Sequence, residues 1–337
     1  MSGLLYLVFV LGLAFEFMNG FHDAANAIAT VVATRVMRPF VAVLMAGALN
    51  LLGALSGTAV AVTLGKGIVD PTVVTETTVA IALFSAVLWD ILTWYFGLPT
   101  SSSHALIFSL IGAAVAGHGF GVVVFSGTFK TMLGLVYSPL IGLAFGGLVI
   151  VILFWIFHRS LPSRVHAIFS RLQILSSAYM AFSHGGNDGQ KTMGVLSLAL
   201  FTAGLLGPTF YVPIWVMFAC AVAMGLGTAL GGWRIIRTMG HRLVKLTPID
   251  GFAAEIAGGT AIEIATRLGI PISTTHAITG SILGVGSVRG PRKVGWHVAG
   301  SIVMAWIMTI PGCFLFGYLI DRVLASLSLI GFVVPGV

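Results

Sequence analysis

Residues 97–112, GLPTSSSHALIFSLIG, and residues 269–284, GIPISTTHAITGSILG, carry one pattern twice at a constant offset of 172 positions. Seven of the sixteen positions are identical: Gly97, Pro99, Ser101, His104, Ala105, Ser109 and Gly112 recur as Gly269, Pro271, Ser273, His276, Ala277, Ser281 and Gly284. In each copy a glycine and a proline close one apolar run, and hydroxyl residues open the next. Proline ends a helix because it lacks an N–H, and serine or threonine starts one by capping free amides. The apolar segments after the tips, about 104–117 and 276–287, are too short to cross a bilayer of about 30 Å as helices. Each is therefore expected to form a re-entrant hairpin with the run before it, its polar tip at membrane depth.

The surroundings are membranous throughout. The chain is 58% hydrophobic and 8% charged, with a mean hydropathy of +1.05, against roughly 25% charged for an average soluble domain. A globular protein of this length could not clothe such a core, so a multi-pass protein of the cell (inner) membrane is expected. Forty-three glycines suit closely packed membrane helices. The net charge of +7 sits in short loops between apolar runs, which argues topology and no nucleic acid. Cys220 and Cys313 lie inside apolar runs and read as small buried hydrophobes. The start of the chain lacks a basic leader and a small-residue cleavage site, so it is read as the first span.

Runs of spanning length fall at about 4–34, 40–64, 77–97, 137–157, 172–206, 213–232, 251–268 and 297–320. With an external N-terminus and hairpins that make no net crossing, Arg35, Arg38, Arg159, Arg164, Arg171, Arg234, Arg237, Arg242, Lys245, Arg289, Arg292 and Lys293 lie inside. Only Lys66, Lys130 and Arg322 then lie outside, as the positive-inside rule favours. Residues 1–157 make an odd number of net crossings, so a second copy, 172–337, inserts upside down. A basic cytoplasmic linker, 158–171, joins the two. Gly20-Phe-His-Asp-Ala-Ala-Asn-Ala27 has a fainter twin in Gly185-Gly-Asn-Asp-Gly-Gln-Lys-Thr192, where Gly20 and Asp23 match Gly185 and Asp188 at an offset of 165. The fold expected is an all-α polytopic membrane protein of two inverted-topology repeats, each with an interrupted first helix and a re-entrant helical hairpin. That is the plan of a secondary transporter.

Free amides at a helix start, with the hydroxyls of Ser101, Ser102 and Ser103, suit a small oxyanion, and Ser273, Thr274 and Thr275 repeat the arrangement. The alternative is that these hydroxyls bond only within their own helices. Asp23 and Asp188 would repel an anion unless a cation or proton lay between. With Asn26, Asn187 and freed carbonyls they form a hard-oxygen set for Na⁺, or they carry H⁺ themselves. Lys191 pairs with Asp188 one turn away or touches the anion. His104 and His276 end the tips and bond backbone, handle protons or contact the anion. Inter-helix bonding is the default for Glu16, Asp90, Glu255 and Glu263.

The paired motifs GFHDAANA and GGNDGQKT resemble the G-A-N-D-V-A-N-A signatures of the inorganic phosphate transporter (PiT) family, prokaryotic branch. The tips PTSSSH and PISTTH match that family's P-x-S-[ST]-[ST]-H. The resemblance covers nearly the whole chain. It implies a non-enzymatic symporter that imports inorganic phosphate with co-transported Na⁺ or H⁺ by alternating access, without a cofactor. It places Asn26, Ser101, Ser102, Ser103, Gln190, Lys191, Ser273, Thr274 and Thr275 at the phosphate. It places Asp23, Asn26, Asn187 and Asp188 at the cation, with Na⁺ on Asp23 and Asp188 if sodium couples. Phe21 and His22 replace the signature Ala and Asn of the first half, and Gln190 and Lys191 those of the second. Partners are then phosphate, the coupling cation and the bilayer, and a homodimer is left open. The rival readings are a sulfate permease of the same architecture, an anion channel and a membrane-embedded enzyme.

Overall fold

A computed structural model describes residues 2–329, in which the chain forms twelve α-helices. They are α1 (Gly3–Ala33), α2 (Pro39–Ala54), α3 (Ala59–Gly67), α4 (Glu76–Phe96), α5 (Ser102–His118), α6 (Phe125–Phe157), α7 (Pro162–Thr202), α8 (Ile214–Leu230), α9 (Trp233–Arg237), α10 (Pro248–Arg267), α11 (Thr274–Arg289) and α12 (Trp296–Leu329). The all-helical expectation holds, and the protein is a multi-pass membrane protein. Residues 330–337 of the second expected half lie outside the described residues.

Both hairpins are present. Gly97 and Gly269 end α4 and α10 at φ +66° and +64°, a backbone region that glycine enters without strain. At the first tip, Leu98 N–H reaches back to Thr93 O and Gly97 N–H to Trp94 O. At the second, Ile270 N–H reaches Ala265 O and Gly269 N–H reaches Thr266 O. The chain then turns and is recapped: Ser101 Oγ accepts from His104 N–H at 3.3 Å, and Ser273 Oγ from His276 N–H at 3.2 Å. The outer ends are tied as well. Asp70 N–H donates to Val122 O (2.8 Å) and Val124 N–H to Ile68 O (3.0 Å), so α4–α5 returns to the level it left. Gly295 N–H does the same to Leu243 O (2.8 Å) below α10–α11.

Two apolar cores are stacked with a polar layer between them. One holds Leu5, Val8 and Phe15 of α1, the outer parts of α4 and α5, and Met193–Leu200 of α7. The other holds Ala25–Val31 of α1, Phe169, Met180 and Ala181 of α7, and much of α10 and α11. α1 and α7 therefore thread the cores in opposite order, and the two tips enter the polar layer from opposite cores.

Two expectations need correction. The first helices are not interrupted: α1 runs unbroken for 31 residues and α7 for 41. The breaks fall one helix later, where α2 meets α3 at 67° and α8 meets the segment Trp233–Leu243 at 57°. Asp23 and Asp188 drew attention as costly polar residues, but a carboxylate on an intact helix projects from the side and frees no backbone. The second correction concerns 158–171. Only 158–161 separate α6 from α7, and Pro162 opens α7, where its missing N–H costs nothing.

The motif glycines are explained by close packing. A Cβ on Gly20 would lie 2.2 Å from Met224 O of α8, and one on Gly185 would lie 2.2 Å from Asn50 O of α2. Each glycine thus brings its polar helix into backbone contact with a helix that ends at a break.

Candidate functional site

The polar layer brings α1, α7 and both tips together, with every expected site residue buried. Asp23 and Asn26 face the second tip. Asn26 Nδ2 donates to Thr275 Oγ1 at 3.0 Å and to Thr274 Oγ1 at 3.3 Å. Thr275 Oγ1 donates to Asp23 Oδ2 at 3.2 Å. From α7, Asp188 Oδ2 accepts from Thr274 Oγ1 at 2.9 Å, and its other oxygen pairs with Lys191 Nζ. Lys191 also donates to Ser103 Oγ of the first tip and to Ile272 O of the second, the latter at 2.7 Å. Carboxylates far apart in sequence are thus joined through the tip hydroxyls.

Asp23, His184 and Asp188 each offer a ligand atom, all within 4.8 Å of one another. His184 Nε2 lies 3.5 Å from Asp188 Oδ2, while its Nδ1 is 3.0 Å from Asn50 Oδ1. Oxygen donors with one imidazole can hold a small cation. Several acceptors and donors in the layer have no hydrogen-bond partner among the described residues: Asn26 Oδ1, Asn187 Oδ1, Ser102 Oγ and both oxygens of Asp90. Buried polar atoms of this kind are costly without a partner, so they are candidate contacts for a ligand or water.

The expected site residues do not all take the expected places. Gln190 is turned away from the tips: it accepts from Val60 N–H at 2.8 Å and donates to Gly186 O at 2.6 Å, so it caps α3 at the break. Asn187 Nδ2 donates to Thr266 Oγ1 of α10 at 2.8 Å and is not joined to the carboxylate pair by a hydrogen bond. Ser101 and Ser273 hold their hydroxyls as helix caps, leaving Ser102, Ser103, Thr274 and Thr275 as the hydroxyls nearest the layer. His22 now has a role. Its Nδ1 is 2.7 Å from Asp23 Oδ1 and its Nε2 is 3.1 Å from Thr93 Oγ1, so it ties Asp23 to the arm of the first hairpin. Asn187, its counterpart at the 165 offset, ties α7 to the arm of the second in the same way.

His104 and His276 meet across the tips with ring centroids 4.8 Å apart, and His276 also lies against Trp306 at 3.9 Å. His276 Nδ1 is 3.4 Å from Leu135 O. Glu16 accepts from Thr192, and Glu255 from Thr30, Ser176 and Gln173, as inter-helix bonding predicts. The layer includes two residues beyond the expected site: Asp90, for which only inter-helix bonding was expected, and His184, which sequence reasoning missed. Asp90 is fully buried with the Ser102 hydroxyl close to its carboxylate, short of the geometry of an ordinary hydrogen bond. His184 precedes Asp188 by four residues, and that one-turn spacing was the available signal.

Comparison with known proteins is consistent over nearly the full chain. Residues 19–317 match the phosphate transporter family. A protein of Rhizobium meliloti (strain 1021) named "Probable low-affinity inorganic phosphate transporter" is 49% identical over 309 residues, 91% of this chain and 92% of its own. One of Bacillus subtilis (strain 168) with the same name is 43% identical over 307 residues, 90% of this chain and 92% of its own. A solved structure described as "The sodium-dependent phosphate transporter" superposes with a TM-score of 0.87 at 25% identity, over 96% of this chain and 100% of that one.

Proposed function

The chain belongs to the phosphate transporter family, and from that premise we propose that it is a secondary active symporter importing inorganic phosphate with a cation by alternating access. The observation that carries this reading is the polar layer itself. Two carboxylates from α1 and α7 and two hydroxyl tips from opposite cores converge on it, among buried acceptors that lack hydrogen-bond partners among the described residues. The second tip meets both carboxylates and the amide of Asn26, and the first tip meets the ammonium of Lys191, an arrangement of anion and cation ligands around one space.

In this reading, residues 1–157 and 172–337 are two inverted repeats of one unit. Phosphate binds between the tips, against Ser102, Ser103, Thr274, Thr275, Asn26 and Lys191. The cation binds at Asp23 and Asp188 and offsets the charge of the anion. Each tip is held to the layer by hydroxyl bonds and rests on a broken helix of the other half, as where Thr63 Oγ1 donates to Gly269 O at 2.7 Å. Rocking at the α2–α3 and α8–α9 breaks releases one tip while the other stays docked, which opens the layer to one side at a time. The sodium dependence named for the solved relative supports Na⁺ as the cation. The His22–Asp23 contact supports H⁺ as the second reading, since this chain binds Asp23 with an imidazole of its own.

Phosphate is favoured over sulfate because hydrogen phosphate carries a donor O–H for the unpartnered acceptors of the layer, whereas sulfate has none. Uptake of labelled phosphate and labelled sulfate into proteoliposomes, under separately imposed Na⁺ and pH gradients, tests the proposal. Gradient-dependent accumulation of phosphate is the expected result. Sulfate-selective uptake overturns the substrate, and flux without accumulation marks a channel.

A further inference from the structure

We infer that Lys191 is a fixed cation built into one of two equivalent cation positions, so that phosphate travels with one mobile cation fewer than the symmetry of the layer would admit. The inference rests on the symporter reading and concerns how many cations that reading requires. The starting point is a correspondence within the chain. At the offset of 165, Asn26 of α1 answers to Lys191 of α7, and at the offset of 172, Ser103 of the first tip answers to Thr275 of the second. The contacts follow the correspondence. Asn26 Nδ2 donates to Thr275 Oγ1 at 3.0 Å, and Lys191 Nζ donates to Ser103 Oγ.

The two positions differ in what they leave open. On the α1 side, the amide is neutral, and its Oδ1 is buried with no partner among the described residues. Asp23 there meets the tip directly through Thr275 at 3.2 Å. That side presents a carboxylate and an amide oxygen to a cation from outside. On the α7 side, an ammonium stands between Asp188 Oδ1 and the Ser103 hydroxyl of the first tip, while Asp188 Oδ2 accepts from Thr274 of the second tip at 2.9 Å. Lys191 is 2% exposed, and its three N–H groups are matched by a carboxylate oxygen of Asp188, the hydroxyl of Ser103 and the carbonyl of Ile272. Carboxylate, hydroxyl and carbonyl are the oxygens that a sodium ion collects. The ammonium therefore has the surroundings of a bound alkali cation, with the difference that its tether keeps it from leaving. An ammonium there also excludes a second cation, since two positive charges a few ångströms apart repel in a site closed to water. The mobile cation is left the Asp23–Asn26 side of the Asp23–Asp188 pair, reaching Asp188 only through the oxygen that Lys191 does not hold.

Lys191→Asn makes the two sides alike and is the direct test. Initial rates of labelled phosphate uptake into proteoliposomes are measured against external Na⁺ at fixed pH and phosphate. The order of the rate in Na⁺ is expected to rise by about one in Lys191→Asn over wild type, whichever ion couples in the wild type. Lys191→Ala, which opens space without supplying an oxygen, is expected to lose about a hundredfold in uptake and to recover on addition of ethylammonium. Lys191→Met fills that space with an uncharged chain that supplies no oxygen and is expected to lose uptake without recovery. An unchanged sodium order in folded Lys191→Asn, or wild-type uptake by Lys191→Met, overturns the inference. Should the variants fail to fold, as judged by their melting in detergent, the wild type decides: a sodium order near one or below supports a single mobile site, and an order of two or more refutes it. Wild-type protein that accumulates no phosphate under any gradient removes the symporter reading, and the inference falls with it.

Discussion

Thr275→Val removes one oxygen atom and keeps the branched shape, so it tests whether the second tip is held by the contacts described. Thr275 Oγ1 accepts from Asn26 Nδ2 at 3.0 Å and donates to Asp23 Oδ2 at 3.2 Å, and the residue is buried. Losing a hydrogen bond to a charged acceptor costs about 1.5–3 kcal/mol. Asn26 keeps its longer bond to Thr274 (3.3 Å) and can shorten it, which returns part of that cost. A net effect of about 2 kcal/mol corresponds to roughly a thirtyfold shift. The contact exists only while the tip is docked, so the shift falls on the docked state and on the ligands that require it. The expected outcome is a roughly thirtyfold rise in the phosphate concentration for half-maximal uptake, with little change in melting temperature. Proteoliposome uptake across a phosphate series, with melting in detergent as control, measures the shift. Thr275→Val with wild-type phosphate dependence would refute the docking argument.

Other outcomes follow from the same geometry. Asp23→Asn and Asp188→Asn are each expected to abolish phosphate accumulation while the protein still reaches the membrane; uptake with an immunoblot of the membrane fraction checks this, and wild-type accumulation in either variant removes that residue from the site. Ser102→Ala, which deletes a hydroxyl held by no ordinary hydrogen bond among the described residues, should raise the phosphate requirement at unchanged melting temperature. Ser101→Ala should instead lower stability by about 1 kcal/mol, because that hydroxyl caps α5. Gly185→Ala places a Cβ 2.2 Å from Asn50 O and should cost about 1–3 kcal/mol or prevent folding, read as a lowered melting temperature.

The hairpins were legible in the sequence because their signals are local. A glycine for the left-handed turn, a proline, and a capping serine define a tip within a few residues, and repetition at Gly97–His104 and Gly269–His276 made chance untenable. The helix breaks were not legible. Nothing at Leu55–Thr58 or Gly231–Gly232 is as distinctive as a buried Asp, and the polarity of 20–26 and 185–191 drew the expected break onto α1 and α7. The error was to treat side-chain polarity as evidence about backbone continuity. Gln190 failed for a related reason. Its place in the motif says that it is in the polar layer, but which way a helical side chain points depends on its neighbours, and the free amide of Val60 at the α2–α3 break claims it. Asp90 was set aside because it lacks a sequence twin, although a site between unlike halves has no need of one.

Charge explains why such a layer would refuse phosphate on its own. Asp23 and Asp188 approach within 4.8 Å of each other through their nearest ligand atoms. At an effective dielectric constant of about 20 their mutual repulsion is about 3 kcal/mol, and an anion seated between them adds a comparable amount from each side. Lys191 offsets one of these carboxylates and stays in the protein. The other, Asp23, has only the imidazole of His22 and the hydroxyl of Thr275. Phosphate therefore meets an uncompensated negative charge until a cation or proton arrives at Asp23, so in the proposed reading the anion binds after, or together with, that companion. In the proposed reading, coupling follows from placing a carboxylate beside the anion's site and supplying a fixed positive charge for only one of the two carboxylates.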